Sequence, residues 1–482
     1  MEGADKLLRP VDGVAQLRRT ALFALSSGAR VLLALPPGDS ARRASLGALD
    51  VSILDVPDHL DGLSASLRAA ERAARPGEAL MILPADMPEI TPEALARLLR
   101  SHAAAPLAIL RGSQDERPGH PVLVPADLVP EIAGLSGDAG ARVLLDRHTH
   151  RVRKVPLAGA SALLDLDTAQ DWAGWERARP ARRPGSGTLT GSAAGTLAAA
   201  ARAAPGSAVL AVITGVHGAS ARSPGAMMCL CSDGSMTGSL TNGCIEADLA
   251  LHARAVRSDS RPVQLRYGQG SPYFDIRLPC GGGLDVSLFP APSGRILADI
   301  ACLAASRGAA ALEFGAEGTA RLGPGRPTGW AGDRFIVNLP PAPRLMLVGE
   351  GAEVAVLSDT ARAAGYDVEL LPTFGATRGL SALREADPWT AVVTLLHDHD
   401  AELPILAEAL TGPAFYIGAL GSRRVAERRK EALARMGLSP TQIARIHGPA
   451  GLIPSARDPG TLAISVLAEV AQTARATGAM PA

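Results

Sequence analysis

RLMLVGEGAEVAVLSDTARAAGYDVELLP, residues Arg344–Pro372, reads as strand, tight glycine turn, helix and strand. Two strands joined through a helix run parallel, because the crossover returns the chain to the end from which it started. Further on, AVVTLLHDHD (Ala391–Asp400) is a strand ending in charged residues, and AFYIGALGSRR (Ala414–Arg424) is another strand ending in a glycine turn. A helix is expected between them. The last third of the chain is therefore an α/β layer whose loops gather at one end of a parallel sheet.

Upstream, GPGRPTGWAGD (Gly323–Asp333) marks a Gly/Pro-rich stretch. RARPARRPGSGTLTGS, which mixes Arg, Pro, Gly and Ser without apolar period, is the clearest boundary. Before that boundary, ARVLLALP, SLRAAERAA, ALMILPAD, PEALARLLRSHA and PLAILRG alternate strand and helix, which predicts an α/β domain with a mostly parallel sheet. After it, SAVLAVITGVHG and AMMCLCSDG read as strands punctuated by glycine, and IEADLALHARAVR as an amphipathic helix. The expected division is a first domain over 1–176, a linker over 177–194, a second domain over 195–290, a variable connector over 291–340 and a third domain over 341–482.

Composition narrows the function. Lys plus Arg and Asp plus Glu are 48 each in 482 residues, so charge recommends neither nucleic acid nor an anionic membrane as partner. Five cysteines without regular spacing argue against a secreted disulfide framework, and neither CxxC nor His-rich spacing points to structural zinc. MEGADKLLRP lacks the apolar core of a signal peptide, and AVLAVITGV is too short to span a bilayer. The expected setting is cytoplasmic.

Two cysteines sit in glycine-bearing brackets, Cys244 in GSLTNGCIE and Cys280 in LPCGGG. Such brackets leave a sulfur uncrowded and let backbone approach a ligand closely, which suits a thiolate contact; burial as core filler is the alternative. In the first domain, LPADMP places Asp86 at the C-terminal end of a buried strand, where open α/β sheets hold ligands and a carboxylate can hold Mg²⁺ against a nucleotide phosphate. Asp167 in DLDT offers a second metal ligand or a helix cap.

Together with GLSASL (Gly62–Leu67), GHPV (Gly119–Val122) and GDAGAR (Gly137–Arg142), the first-domain motifs resemble the MobA/MocA-like nucleotidyltransferases, over nearly all of residues 1–176. The resemblance implies transfer of a nucleotide, CMP being favoured, from CTP or another NTP to molybdopterin. Lys6, Asp86 and Asp167 would be the catalytic residues, and Asp86 and Asp167 the Mg²⁺ ligands. Such enzymes open on a strand and a glycine loop of the form LAAGxSxRMG followed shortly by a lysine, whereas this sequence starts inside that motif, with MEGADKLL and its Lys6. A truncated front is the expectation, and an inactive domain that binds without catalysing is the alternative. Lys6 is then either the phosphate-facing cation or an exposed terminal lysine.

GVHGASARSPGAMM, SDGSMTGSLTNGCIEAD, LPCGGG, the glycine-turn unit, YIGALGSRR and HGPAGLIPSARDPGTLAISVLAEVA closely resemble the xanthine dehydrogenase accessory, or XdhC/CoxI, family over about residues 195–482. That resemblance implies binding of the molybdenum cofactor, as molybdopterin or its cytidine dinucleotide, and its delivery to a molybdenum hydroxylase of the xanthine dehydrogenase type. Cys244 and Cys280 would lie on the cofactor side, with Glu246 and Arg222 as polar neighbours, although Glu246 also suits a helix cap and Arg222 a solvated charge. The fold class is thus α/β throughout: a nucleotidyltransferase-like Rossmann-type domain, a central XdhC/CoxI domain and a C-terminal Rossmann-like domain.

In the third domain, Gly349 and Gly351 form the cofactor-side turn, but Val354 occupies the third fingerprint position and Pro372 the place of a ribose-binding acid, so NAD is not expected. Ser422 and Arg423, with Arg424 and the amides of the following helix, could hold a phosphate. His397–Asp400 has the look of a metal-ligand run or of solvated loop charges. Dimerisation is left open. A purely accessory protein, an isoprenoid cytidylyltransferase and an NAD oxidoreductase are the competing functions.

Overall fold

The computed structural model describes residues 5–47, 49–114, 116–137, 140–166, 168–178, 193–241, 243–271, 281–371, 376–396 and 398–479. Two compact units emerge. One gathers 1–11, 15–183 and 342–482, and the other 12–14 and 184–341.

In the first unit, β1 (Leu32–Leu35) and β2 (Ser52–Asp55) pair in parallel, while β3 (Leu80–Ile82), β4 (Ile109–Gln114), β5 (Arg117–Val124) and β6 (Val152–Pro156) make a sheet of order β3-β5-β4-β6. Here the mostly parallel expectation meets a difference: β5 runs antiparallel to both β3 and β4, and β4 and β6 alone in that sheet are parallel. Two residues separate β4 from β5, with Glu116 at φ 65°, so the chain must reverse on itself. Helices α1 (Gln16–Ser26), α2 (Leu63–Ala73) and α3 (Pro92–Ala104) flank these sheets. Thr91 caps α3 by accepting from the Ala94 amide, and Pro92 takes the first turn, where its missing N–H costs nothing. Glu93 of α3 is ion-paired to Arg100, and Arg97 Nη2 reaches Glu408 Oε1 at 3.3 Å.

The second unit begins with α4 (Ala193–Arg202) and holds an antiparallel sheet of β7 (Ala208–His217), β8 (Met227–Cys231), β9 (Met236–Thr237), β10 (Val263–Gly268) and β11 (Gly283–Pro290), in the order β9-β8-β7-β11-β10. Strand β7 is apolar at consecutive positions because both its faces are covered. Val209, Ala211 and Ile213 pack with Leu249, Ala253 and Val256 of α5 (Glu246–Asp259), whereas Leu210 and Val212 pack with Leu297 of α6 (Gly294–Ala305) and with Leu312, Phe314 and Phe335. Those last three belong to a second sheet, β12 (Ala310–Gly315), β13 (Ala320–Pro324), β14 (Gly329–Ala331) and β15 (Arg334–Leu339), ordered β13-β12-β15-β14. Residues 291–340, read as a connector, therefore carry a helix and a sheet; short strands broken by Gly and Pro give too little period to be recognised.

Returning to the first unit, β16 (Arg344–Gly349), α7 (Ala352–Ala363), β17 (Asp367–Leu371), β18 (Thr390–Leu395), α8 (His399–Thr411), β19 (Tyr416–Ala419), α9 (Arg423–Arg435), β20 (Ile446–His447) and α10 (Pro459–Thr477) follow. The sheet is wholly parallel in the order β17-β16-β18-β19-β20, as the opening stretch demands. Its crossovers change direction between β16 and β18, beside Gly349 and Leu395, the position at which open parallel sheets generally hold their ligands. Among the described residues no helix is long and apolar enough to cross a membrane.

Candidate functional site

Strand β3 delivers Asp86 into a loop that α1 pins from below. Gln16 Nε2 donates to the Ala85 carbonyl at 2.9 Å, Thr20 Oγ1 to the same oxygen at 3.3 Å, and Arg19 Nη1 to the Pro88 carbonyl at 2.8 Å. Lys6 opens a short 3₁₀ turn, Lys6–Leu8, which Asp5 caps through the Leu7 amide at 3.0 Å. Burial raises the Asp5 pKa, but Arg42, whose Nε lies 2.6 Å from Asp5 Oδ2, and the Leu7 amide outweigh it and hold the carboxyl below its ordinary value. Lys6 Nζ thereby reaches Asp86 Oδ2 at 2.7 Å, with 33% and 20% of the two side chains exposed. The structure thus brings Lys6 and Asp86 together; Asp167 lies outside the described residues. Among the described residues no group of three or more His, Cys, Asp or Glu side chains could hold a metal. Mg²⁺ in phosphate sites takes one or two carboxylates and fills its shell from water and phosphate, so Asp86 by itself suits that role.

In the second unit the loop before α5 is built around Glu246. This carboxylate, 7% exposed, accepts from the backbone amides of Leu240, Thr241, Gly243 and Ile245 at 2.9–3.2 Å. It also accepts from Ser239 Oγ at 3.2 Å and Thr241 Oγ1 at 2.8 Å. Burial would raise its pKa, yet the Thr241 amide and hydroxyl and the neighbouring amides overcome that and hold it at about 2. Both oxygens are engaged inside the loop. Glu246 therefore shapes the backbone, and Cys244, next but one before it, is exposed on the loop so formed. The remaining described cysteines differ: Cys229 and Cys302 are buried, and burial pushes the Cys229 thiol up to about 12, with Cys231 Sγ at 3.8 Å. A thiol of that pKa carries no thiolate near neutrality.

Cys280 lies outside the described residues, but the glycines after it do not. Gly283 pairs with His217 across β11 and β7, and a side chain at Gly282 would meet the Ala219 carbonyl at 2.2 Å. The backbone of GVHGA and that of Gly282 and Gly283 thus pack on each other. Beside them is a cluster that sequence reasoning missed. Arg266 clamps Asp285 with Nε at 2.6 Å and Nη2 at 3.0 Å, and His217 Nε2 lies 2.8 Å from Asp285 Oδ2. The Arg266 hydrogen bond, with His217 adding to it, holds the Asp285 carboxyl below its ordinary value against burial. Arg222 is exposed, and its backbone is closed on Ser220 Oγ at 2.8 and 3.2 Å.

At the parallel sheet, Gly349 ends β16 at φ 148°, and a Cβ there would sit 2.7 Å from the Leu395 carbonyl, so the turn needs glycine. Gly351 precedes α7 as its N-cap. Ser422 caps α9 by accepting from the Val425 amide at 3.3 Å, with Arg423 and Arg424 exposed beside it. Pro372 and His397 lie outside the described residues. Asp398 caps α8 through the amides of Asp400 and Ala401 at 3.0 and 3.1 Å, and His399 Nδ1 lies 3.7 Å from Glu402 Oε2. Glu402 in turn is bound by Arg429 Nε and Nη2 at 3.0 and 2.7 Å in the interior, so these charges serve the fold.

Residues 345–470 match the XdhC Rossmann domain, residues 1–152 the MobA-like NTP transferase domain, and residues 201–268 the XdhC and CoxI family. The molybdenum cofactor insertion chaperone PaoD of Escherichia coli is 38% identical over 266 residues, 55% of this chain and 82% of that one. A nicotine blue oxidoreductase of Paenarthrobacter nicotinovorans is 31% identical over 119 residues, 23% of this chain and 58% of its own. Among solved structures, one described as a xanthine dehydrogenase from Bacillus halodurans covers 59% of this chain and 96% of its own at 22% identity, with a TM-score of 0.46.

Proposed function

The chain belongs to the XdhC and CoxI family and carries a MobA-like NTP transferase domain ahead of it, and from that premise we propose that it matures molybdenum cofactor and delivers it to a molybdenum hydroxylase of the xanthine dehydrogenase type. The observation that carries this reading is the exposed Cys244 thiol on a loop whose shape Glu246 imposes through four amides and two hydroxyls. A soft sulfur held on a preformed loop suits contact with molybdenum and its dithiolene. The PaoD likeness supports the same direction.

For residues 1–176 the finer reading is transfer of a nucleotidyl group, CMP being favoured. A phosphate oxygen of molybdopterin attacks the α-phosphorus of CTP; the new P–O bond forms as the bond to the β-phosphate breaks, and pyrophosphate leaves. Mg²⁺, when bound, would draw charge from the phosphates. Asp86 would hold it, with Asp167 as the expected second ligand. Lys6, released from Asp86 by the cation, would turn to the leaving pyrophosphate. Tethering both activities in one chain raises the effective concentration of product at the accessory domain. NAD has no part in this scheme.

The test is titration of the purified chain with molybdenum cofactor under anaerobic conditions, reading molybdenum retained after desalting. Wild type should retain it, and Cys244→Ala and Cys280→Ala should each lose retention. Absence of retention by the wild type overturns the delivery reading. Pyrophosphate release from CTP and molybdopterin, abolished in Asp86→Ala, tests the transfer step.

A further inference from the structure

Cys229 and Cys231 stand two residues apart on β8, and strand alternation sends both side chains to the same face. Cys229 belongs to the cluster that includes Leu210, Val212 and Phe289, Cys231 packs against it, and the two Sγ atoms lie 3.8 Å apart. Their access differs. Cys229 is fully buried, whereas Cys231 is half-buried at the end of the strand, where the exposed turn 232–235 begins. A reagent arriving from solvent therefore meets Cys231 first, and Cys229 is placed to react with whatever forms there.

A disulfide needs its sulfurs at about 2.05 Å and its Cα atoms within roughly 4.4–6.8 Å. Residues i and i+2 of a strand are about 6.6 Å apart, at the long end of that range, so the bond can form but closing it draws the strand in. That contraction has somewhere to go. Strand β9 pairs with the same stretch, Thr237 opposite Cys229 and Met236 opposite Leu230. Gly238, the next residue, has no slack, since a Cβ there would sit 2.7 Å from the Met227 carbonyl oxygen and 2.9 Å from Thr196 Oγ1. From Gly238 the chain runs directly into the loop that carries Cys244 and is gathered on Glu246. Shortening of β8 is thus passed through two ladder pairs and one packed glycine to that loop.

We propose that Cys229 and Cys231 are a redox-active dithiol that closes to a disulfide by exchange with a low-molecular-weight disulfide, and that closure resets the loop bearing Cys244. In the first step the Cys231 thiolate attacks one sulfur of the reagent, whose S–S bond breaks to release one thiolate. Cys229 Sγ, its proton lost to water, then attacks Cys231 Sγ and expels the other half of the reagent as thiolate. The protein pair is oxidised by two electrons, and the reagent is reduced to two thiols. The bearing of this switch on cofactor delivery rests on the reading of Cys244 as a cofactor contact; the closure itself does not.

The experiment treats the folded, reduced full chain with oxidised glutathione, quenches it with acid, alkylates it after unfolding, and digests it with trypsin and Asp-N protease. These cut after Arg222 and before Asp233, so Cys229 and Cys231 come away in one fragment, 223–232, without Cys244. The expected fragment is unalkylated and lighter than the dithiol by two hydrogens, and dithiothreitol restores the dithiol. Cys229→Ala should stop at a glutathione adduct on Cys231, and Cys231→Ala should leave Cys229 unmodified, with thermal melts verifying that each variant is folded. Hydrogen exchange then reads the loop, in the Cys244→Ala chain so that the exposed thiol forms no adduct. The amides of Leu240, Thr241, Gly243 and Ile245, which donate to Glu246, should exchange more than about twofold faster in the disulfide form, a change that Cys231→Ala should not show. A fragment that stays dithiol, carries glutathione without closing, or links to another cysteine overturns the proposal, as does a smaller difference in exchange. Neither readout uses molybdenum cofactor, so failure of the delivery reading, seen as absent retention, is told apart from failure of this one.

Discussion

Glu246 and Glu93 are both glutamates in the first turn of a helix and both have little-exposed side chains, yet the pKa of one is held down at about 2 and that of the other is raised to about 7. Burial pushes each upward. At Glu246 a ring of amides and hydroxyls more than offsets it, whereas at Glu93 the Arg100 and Arg97 charges do not, and Asp387 adds to the rise. Helix position alone therefore says little about a carboxylate. What decides is how many oriented donors the surrounding chain aims at its oxygens, because a ring of fixed N–H groups rewards the charged form where the nearby guanidinium charges only partly offset burial.

The contrast can be broken most sharply at Glu246. Glu246→Ala should destabilise the second unit by about 4 kcal/mol in urea melts, because several buried amides lose their acceptor at once. The paired pH dependences have opposite signs. Glu246 lies below its unfolded value, so its contribution is full above about pH 4.5 and is lost as pH falls toward 2. Glu93 lies above its unfolded value, so its contribution is full below about pH 4.5 and is lost as pH rises through 7. Glu93→Gln should accordingly stabilise the chain by about 2 kcal/mol at pH 8 and hardly at all at pH 5, seen as a melt difference that grows with pH. A smaller effect is expected where one hydrogen bond replaces a ring of them: Ser422→Ala should cost about 1 kcal/mol by denaturant titration. Smallest is Cys244→Ala, expected within about 0.5 kcal/mol of wild type in the same melts, since Glu246 and not the thiol holds the loop.

How far the sequence reaches follows the same distinction. Residues 344–372 announced their parallel unit because apolar period and glycine turn are local signals, and the observed strand order agrees. Lys6 and Asp86 could be proposed as neighbours from their motifs. The six donors of Glu246 could not, since they depend on a loop folding back over a side chain that follows it. Nor could His217, Arg266 and Asp285, which stand on three strands; their meeting depends on the register of β7, β11 and β10, and no spacing along one strand encodes that. The sheet within 310–339 escaped because its strands are short and its turns dominate the composition.

The division of the chain into units has a consequence in time. Arg97 and Glu408, which pair in the finished first unit, are 311 residues apart, and all of residues 184–341 is synthesised between them. At bacterial or eukaryotic elongation rates this is on the order of tens of seconds. During that interval Arg97 of helix α3 has left the ribosome while Glu408 does not yet exist, so the nascent first domain must carry that guanidinium without its partner.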